Sequence, residues 1–316
     1  MSAEAPALPA PTSRGSSLAG RFGDWLRNPW GKPRALVAWT WLYMAWSIVP
    51  VLIAVRIGFN TGRSRSTFQG FGLRWYTQDP ELSVFHDESL FQALVHSLQL
   101  AGWVMVVATP IGVALALGLA WWRGRGSGPA NFLMLFPLVT PEIVMGVSLF
   151  LVFDNLYKAV PFGRPWLPWS AMTLGLVTFS ISYVVIVVRG RLFAIGKEYE
   201  EAAMDLGASP AQALFRVLFP LLLPAIFAAA MIVFAITIDD FVISAFLCVE
   251  DCVTVPIKIY STARLAPSPA LNALATLMLV ASLGAITLAV LVQRRFIRKR
   301  ETAEHSAVED FARLEI

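Results

Sequence analysis

Four stretches of this sequence, Ala35 to Val55, Leu98 to Ala120, Met172 to Val188 and Ala273 to Val292, contain no Asp, Glu, Lys or Arg. A helix rising roughly 1.5 Å per residue needs about 20 apolar residues to cross the hydrocarbon core of a bilayer, so these runs read as membrane spans. Two further runs match them in apolarity but hold acids: Phe132 to Phe153 contains Glu142, and Leu221 to Phe246 contains Asp239 and Asp240. Of the 316 residues, 57% are hydrophobic and 15% charged, and the mean hydropathy of +0.64 is too high for a soluble domain. The expected fold class is all-α, a polytopic membrane protein with six transmembrane helices. Residues 35–293 form the membrane domain, flanked by a disordered N-terminal tail, 1–34, and a C-terminal tail, 294–316.

Six spans leave both termini on one side of the membrane. Seventeen of the 25 Lys and Arg residues fall on that side. They lie in the N-terminal tail, at Arg123 and Arg125, at Arg189, Arg191, Lys197 and Arg216, and in the C-terminal tail, where Arg294 to Arg300 closely follow span six. The opposite side holds Arg56, Arg63, Arg65, Arg74, Lys158, Arg164, Lys258 and Arg264. The positive-inside bias therefore makes both termini and the loop 189–220 cytoplasmic. It also accounts for the net charge of +4 and the pI near 9.3 without a nucleic-acid partner. The first 34 residues lack the apolar core of a cleavable signal peptide. Within them Leu18, Phe22, Trp25 and Leu26 recur at a spacing that permits a short helix on the membrane surface.

The loop between spans four and five is long but does not read as disordered. Glu198 to Leu206 is a helix-forming run, Gly207 suits the φ > 0 conformation that stops a helix, and Ser209 with Pro210 forms an N-cap and first-turn pair that restarts one. The prediction is a helix, a turn and a second helix. Ala202 and Ala203 keep one face small enough for another protein to approach the backbone, and Glu201 offers that protein a negative charge.

These residues carry a resemblance. Glu201-Ala202-Ala203, three residues, Gly207, nine residues and Val217-x-Phe219-Pro220 are similar to the EAA loop of ABC importer permeases, with Val217 and Phe219 where that family usually has Ile and Leu. The chain outside its tails resembles the second permease subunit of bacterial spermidine/putrescine importers through Phe59-Asn60, Gly70-Phe71-x-x-x-Trp75-Tyr76, Pro141-Glu142-Ile143-Val144-x-Gly146, Asp239-Asp240-Phe241-Val242 and Asn272 to Thr276. That subfamily commonly has Asp where Glu142 stands. The resemblance implies a type I ABC importer permease fold in the bacterial inner membrane, with the loop as a coupling helix seated on an ATPase. It also implies ABC ATPase subunits, a second permease subunit and an extracytoplasmic solute-binding protein as partners, with polyamines as cargo. The chain contains no Gly-x-x-x-x-Gly-Lys-[Ser/Thr] phosphate loop, since Gly31-Lys32 and Gly196-Lys197 are followed by Pro33 and Glu198. It is therefore expected to bind no cofactor and to catalyse nothing itself, with ATP and Mg on the partner ATPase driving alternating access.

Ionised groups at membrane depth are expensive, so Glu142, Asp239 and Asp240 are expected to face a protein interior or a wet pathway. No Lys or Arg lies within the six apolar runs to neutralise them, and a di- or triamine supplies the missing charge. Two readings stay open for Asp239 and Asp240: contact with solute, or capping of a broken helix and pairing with Lys258 or Arg264. Glu142 follows Pro137 and Pro141, which mark a kink. Trp39, Trp41, Tyr43 and Trp46 in span one read first as lipid-facing or interfacial; Trp46, the deepest, is the candidate for a cation–π contact.

Cys248 and Cys252 leave two readings open: an oxidising compartment permits a disulfide if a turn brings their Cα atoms within about 7 Å, but the five-residue ring is sterically demanding and free thiols are the favoured reading, and no further ligand completes a metal site. His86, His96 and His305 form no cluster. The outer loop, Asn60 to Leu90, mixes both charge signs and reads either as a partner surface or as a solvated connection. The rival function is a proton-coupled secondary transporter of a cationic solute, using Glu142, Asp239 or Asp240 as proton carriers. A membrane scaffold without transport is a third reading.

Overall fold

Proline residues and an aspartate pair decide how the apolar runs break into helices. The computed structural model describes residues 34–63, 67–159, 167–248, 252–265 and 268–314. The chain divides into two units, Met1–Leu52 and Ile53–Ile316. The described part of the first is most of α1 (Arg34–Gly58), on which Trp39, Tyr43 and Trp46 recur at i, i+4 and i+7 and share a face. The surface helix expected around Leu18 to Leu26 lies outside the described residues.

The second unit is built on α2 (Glu88–Trp121), α5 (Leu167–Ile195), α7 (Pro210–Ile238) and α10 (Pro269–Leu314). Asp87 starts α2 as an N-cap, its Oδ1 accepting the N–H groups of Ser89 at 2.9 Å and Leu90 at 3.2 Å. α2 packs along α5, and α7 lies against α2, α5 and α10. Their shared core holds Leu100, Val104, Leu176, Val184, Val188 and Val233. α10 continues beyond the apolar run as one helix to Leu314, through most of the expected C-terminal tail.

Among the described residues five helices are long and apolar enough to cross a bilayer, and the bent pair α3 (Ser127–Val139) and α4 (Glu142–Ala159) supplies a sixth span when taken as one. The kink expected in the run from Phe132 to Phe153 is present, and it is a sharp break, with α3 and α4 meeting at 104°. Pro141 explains the break: its ring disfavours helical geometry at the preceding residue, and Thr140 is extended at φ −71°, ψ 130°. The expected fifth span is corrected. Its helix starts at Pro210 and ends at Ile238, and a short α8 (Val242–Leu247) resumes after Asp239-Asp240-Phe241.

The loop between α1 and α2 is a folded cap, not a plain solvated connection. A π-helical turn, Arg74–Gln78, buries Trp75 and Tyr76. The Trp75 indole N–H donates to the Asn60 carbonyl, and the Asn60 Oδ1 accepts the Gln69 N–H at 2.9 Å. Trp75, Tyr76 and Val84 share a core with Leu271, Leu274 and Met278 of α10. The Arg74 guanidinium holds Asp79 through two contacts to Oδ2, at 3.0 and 3.1 Å. Together with the Leu82 and Glu81 N–H groups, it keeps the Asp79 carboxyl below the usual carboxylate range, with the Leu82 N–H the strongest influence. α9 (Val255–Leu265) is tied to α2 by the Val255 N–H, which donates to Ser97 Oγ at 2.8 Å.

Candidate functional site

Two groups of sequence-predicted residues meet the structure separately: the loop around Glu201 and the intramembrane acids. The loop forms the predicted helix, turn and helix. α5 ends at Ile195, Gly196 turns the chain at φ +77°, and α6 runs over Glu198–Asp205. At its end Gly207 takes φ +88°, with the Gly207 N–H bonded to the Met204 carbonyl and the Ala208 N–H to the Ala203 carbonyl. That pair of bonds is a Schellman closure, which places a residue without Cβ in the left-handed region. Ser209 and Gln212 then cap each other: Ser209 Oγ accepts the Gln212 N–H and Gln212 Oε1 accepts the Ser209 N–H, with Pro210 in the first turn.

Glu201, Ala202, Gly207, Ser209, Pro210 and Pro220 are exposed and Ala203 is half-buried. The tip also presents an apolar residue that the sequence reading passed over, Leu206 at 91% exposure. An apolar tip on a charged hairpin fits contact with another protein better than contact with water. Its signal in the sequence is an apolar residue directly before the helix-stopping glycine.

The acids sit at breaks in two spans. Glu142 opens α4 just past the 104° bend. Asp240 follows the end of α7, and its Oδ2 accepts the Ser244 N–H at 2.8 Å, capping α8. α8 is wedged between α4 and α5: a Cβ on Gly146 would stand 2.8 Å from a Phe246 ring atom, and one on Gly175 would stand 2.5 Å from Leu247 Cδ1. This wedge brings Asp240 within electrostatic reach of Glu142, which also acts on the Tyr183 hydroxyl of α5. Asp239 goes elsewhere, accepting a hydrogen bond at 2.9 Å from the Ser282 hydroxyl of α10. Of the structural alternatives for the aspartates, capping is present, and among the described residues neither Asp239 nor Asp240 pairs with Lys258 or Arg264; Arg264 lies over the Tyr260 ring. Tyr183 and Ser282 were not expected, since each stands in a charge-free run that offers no local signal. Trp46 lies on α1 in the amino-terminal unit.

The expectation of free thiols is overturned. Cys248 and Cys252 form a disulfide with Cα atoms 5.5 Å apart. α8 ends at Leu247 and Cys248 leaves it extended, which lets the chain return within disulfide reach. Among the described residues no group of three or more His, Cys, Asp or Glu is placed to hold a metal ion. His86 Nδ1 pairs with Ser83 Oγ at 2.8 Å, His96 stands edge-on to Trp169, and the side chain of His305 lies outside the described residues.

Comparison with known proteins places this architecture. Residues 108–301 match the family described as "Binding-protein-dependent transport system inner membrane component". The chain is 34% identical over 257 residues to the putrescine transport system permease protein PotI of Escherichia coli K12, covering 80% of this chain and 87% of that protein. It is 32% identical over 258 residues to the spermidine/putrescine transport system permease protein PotC of Haemophilus influenzae, covering 82% and 96%. Among solved structures, a bacterial ABC transporter involved in importing the acidic polysaccharide alginate superposes with a TM-score of 0.61 at 16% identity, covering 87% of this chain and 98% of that one. The inward-facing MetNI methionine ABC transporter gives 0.50 at 17% identity, covering 66% and 93%. An acidic polysaccharide and an amino acid thus travel through the same fold, so the fold leaves the cargo open.

Proposed function

The chain belongs to the binding-protein-dependent transport system inner membrane component family, and on that premise we propose that it imports polyamines. It is a multi-pass permease subunit of an ABC importer with the type I fold, a transport protein and not an enzyme. A binding-protein-dependent system does not favour the proton-coupled alternative. Within such an importer its partners are an ATPase, which holds ATP and Mg, a second permease subunit and an extracytoplasmic solute-binding protein. Both termini and the Glu201 loop face the cytoplasm. The disulfide supports this orientation independently of charge counting, because disulfides persist in oxidising compartments and Cys248–Cys252 lies at the opposite end of α7 from that loop.

The observation that carries the cargo reading is that Glu142 and Asp240 stand at two helix breaks whose helices, α4 and α8, pack together, with no Lys or Arg from the apolar runs to balance them. Carboxylates at membrane depth are costly without a counter-charge, and a protonated amine passing them supplies it. The two curated relatives described above are named for putrescine and spermidine, which agrees with a cationic cargo. The test is uptake of radiolabelled putrescine and spermidine by the reconstituted complex with Asp240→Asn. The expected result is weaker transport with a raised KM; unchanged kinetics would remove Asp240 from the pathway.

A further inference from the structure

α7 is one helix from the Ser209 cap to Ile238, at about 1.5 Å per residue an axis of roughly 43 Å. One end carries the cytoplasmic hairpin and the other reaches Asp239 and Asp240, so motion of the hairpin has a direct route to the acids. The route is interrupted. Residues Ala213–Leu218 are wound as a π-helix, with the Phe219 N–H bonded to the Leu214 carbonyl five residues back. A π-turn holds one residue more than an α-turn, and inside α-helices it occurs frequently at functional sites. Pro220 and Pro224 loosen the stretch further, because they lack the N–H groups that the Arg216 and Pro220 carbonyls would otherwise receive.

Two features around this turn give the hairpin room to move. α6 packs against the π-turn but joins α5 and α7 through Gly196 and Gly207, both at positive φ. A cavity of about 90 Å³ lies between the α5–α6 corner, with Gly196, Lys197 and Glu200, and the π-turn's Leu218. We infer that the π-turn Ala213–Leu218 is a compliant joint in α7 that takes up movement of the hairpin and passes it, re-registered, to the helix break at Asp239-Asp240. This rests on the membership of an ATP-driven importer proposed above, with the cytoplasmic Glu201 loop as the part that docks on its ATPase. Passing the extra residue along the helix re-aims the side chains in between while both ends stay hydrogen-bonded. Ala213 and Leu218 are buried and anchor the turn, whereas Phe215 and Arg216 are exposed and free to shift.

The extra residue makes the joint testable by deletion. Removing Phe215 converts the turn to α-helix and keeps the register on both sides, whereas Phe215→Ala removes the same side chain and keeps the turn. Both variants are assembled with the ATPase, the second permease and the binding protein, and putrescine uptake and ATP hydrolysis are measured. The expected result is that the deletion variant copurifies with the ATPase and hydrolyses ATP but loses uptake about tenfold or more, while Phe215→Ala stays within about twofold of the parent. Parental uptake in the deletion variant, or an equal loss in Phe215→Ala, overturns the joint. Copurification of the parent chain with the ATPase reports separately on the docking role. Should the deletion variant fail to assemble, hydrogen exchange in the parental complex decides: ATP must change exchange at the Leu218 and Phe219 amides, and identical exchange with and without ATP overturns the proposal.

Discussion

Glu201 stands exposed on α6 with its backbone N–H bonded to the Lys197 carbonyl, so its side chain is free for a partner and no internal contact depends on it. Replacing it with Arg inverts a charge at a proposed interface without disturbing the helix. Glu201→Arg is expected to cut transport about tenfold or more through lost docking, with yield and melting temperature unchanged. ATPase copurification with this variant, against the parent, checks it. Within the aspartate pair, neighbours in sequence have separate tasks, one held by Ser282 and the other capping α8 beside Glu142. Their adjacency in the chain does not reveal that division, because it depends on which element packs on each side of the break. The exposed place of Glu201 was legible because the geometry of a short hairpin is set by its immediate neighbours.

At the scale of elements, the hairpin is the most local structure in the chain. Its stop, a left-handed Gly207, and its restart, a reciprocal Ser209–Gln212 cap, both lie within a few residues of what they control. A β-branched residue at φ +88° is strained by roughly 1 to 2 kcal/mol. Gly207→Val is expected to lower ATPase copurification and coupled hydrolysis while leaving the spans folded, which circular dichroism checks. The outer cap behaves differently, because its anchor titrates. Asp79 is held below its ordinary range, so its contribution to folding is complete above the usual carboxylate pKa of about 3.9 and is lost as pH falls through the lower folded value. The stability gap between the parent and Asp79→Asn is thus expected to be widest near neutrality and to close on acidification, as thermal unfolding in detergent across pH would measure. Pro137 and Pro141 foretold a kink, but its 104° size is a property of α3 and α4 packed in place.

For the whole molecule, orientation is the property that every functional statement uses. With the Glu201 loop proposed to be cytoplasmic and the Cys248–Cys252 disulfide at the far end of α7, a single cysteine placed at Ser209 is expected to react with a membrane-impermeant maleimide only after the cell membrane is opened, and labelling of intact spheroplasts would reverse the topology. The sequence by itself determined the apolar spans, the hairpin and the family, because hydropathy and helix capping are read from neighbours along the chain. Only the tertiary structure decided that Asp240 caps α8 while Asp239 turns to Ser282, that the cysteines join, that the outer loop is a packed cap and that α7 contains a π-turn. These outcomes depend on how helices remote in sequence settle against one another. Small residues such as Gly146 and Gly175 let α8 wedge between α4 and α5, and no periodicity within one span records which helix will fill that space.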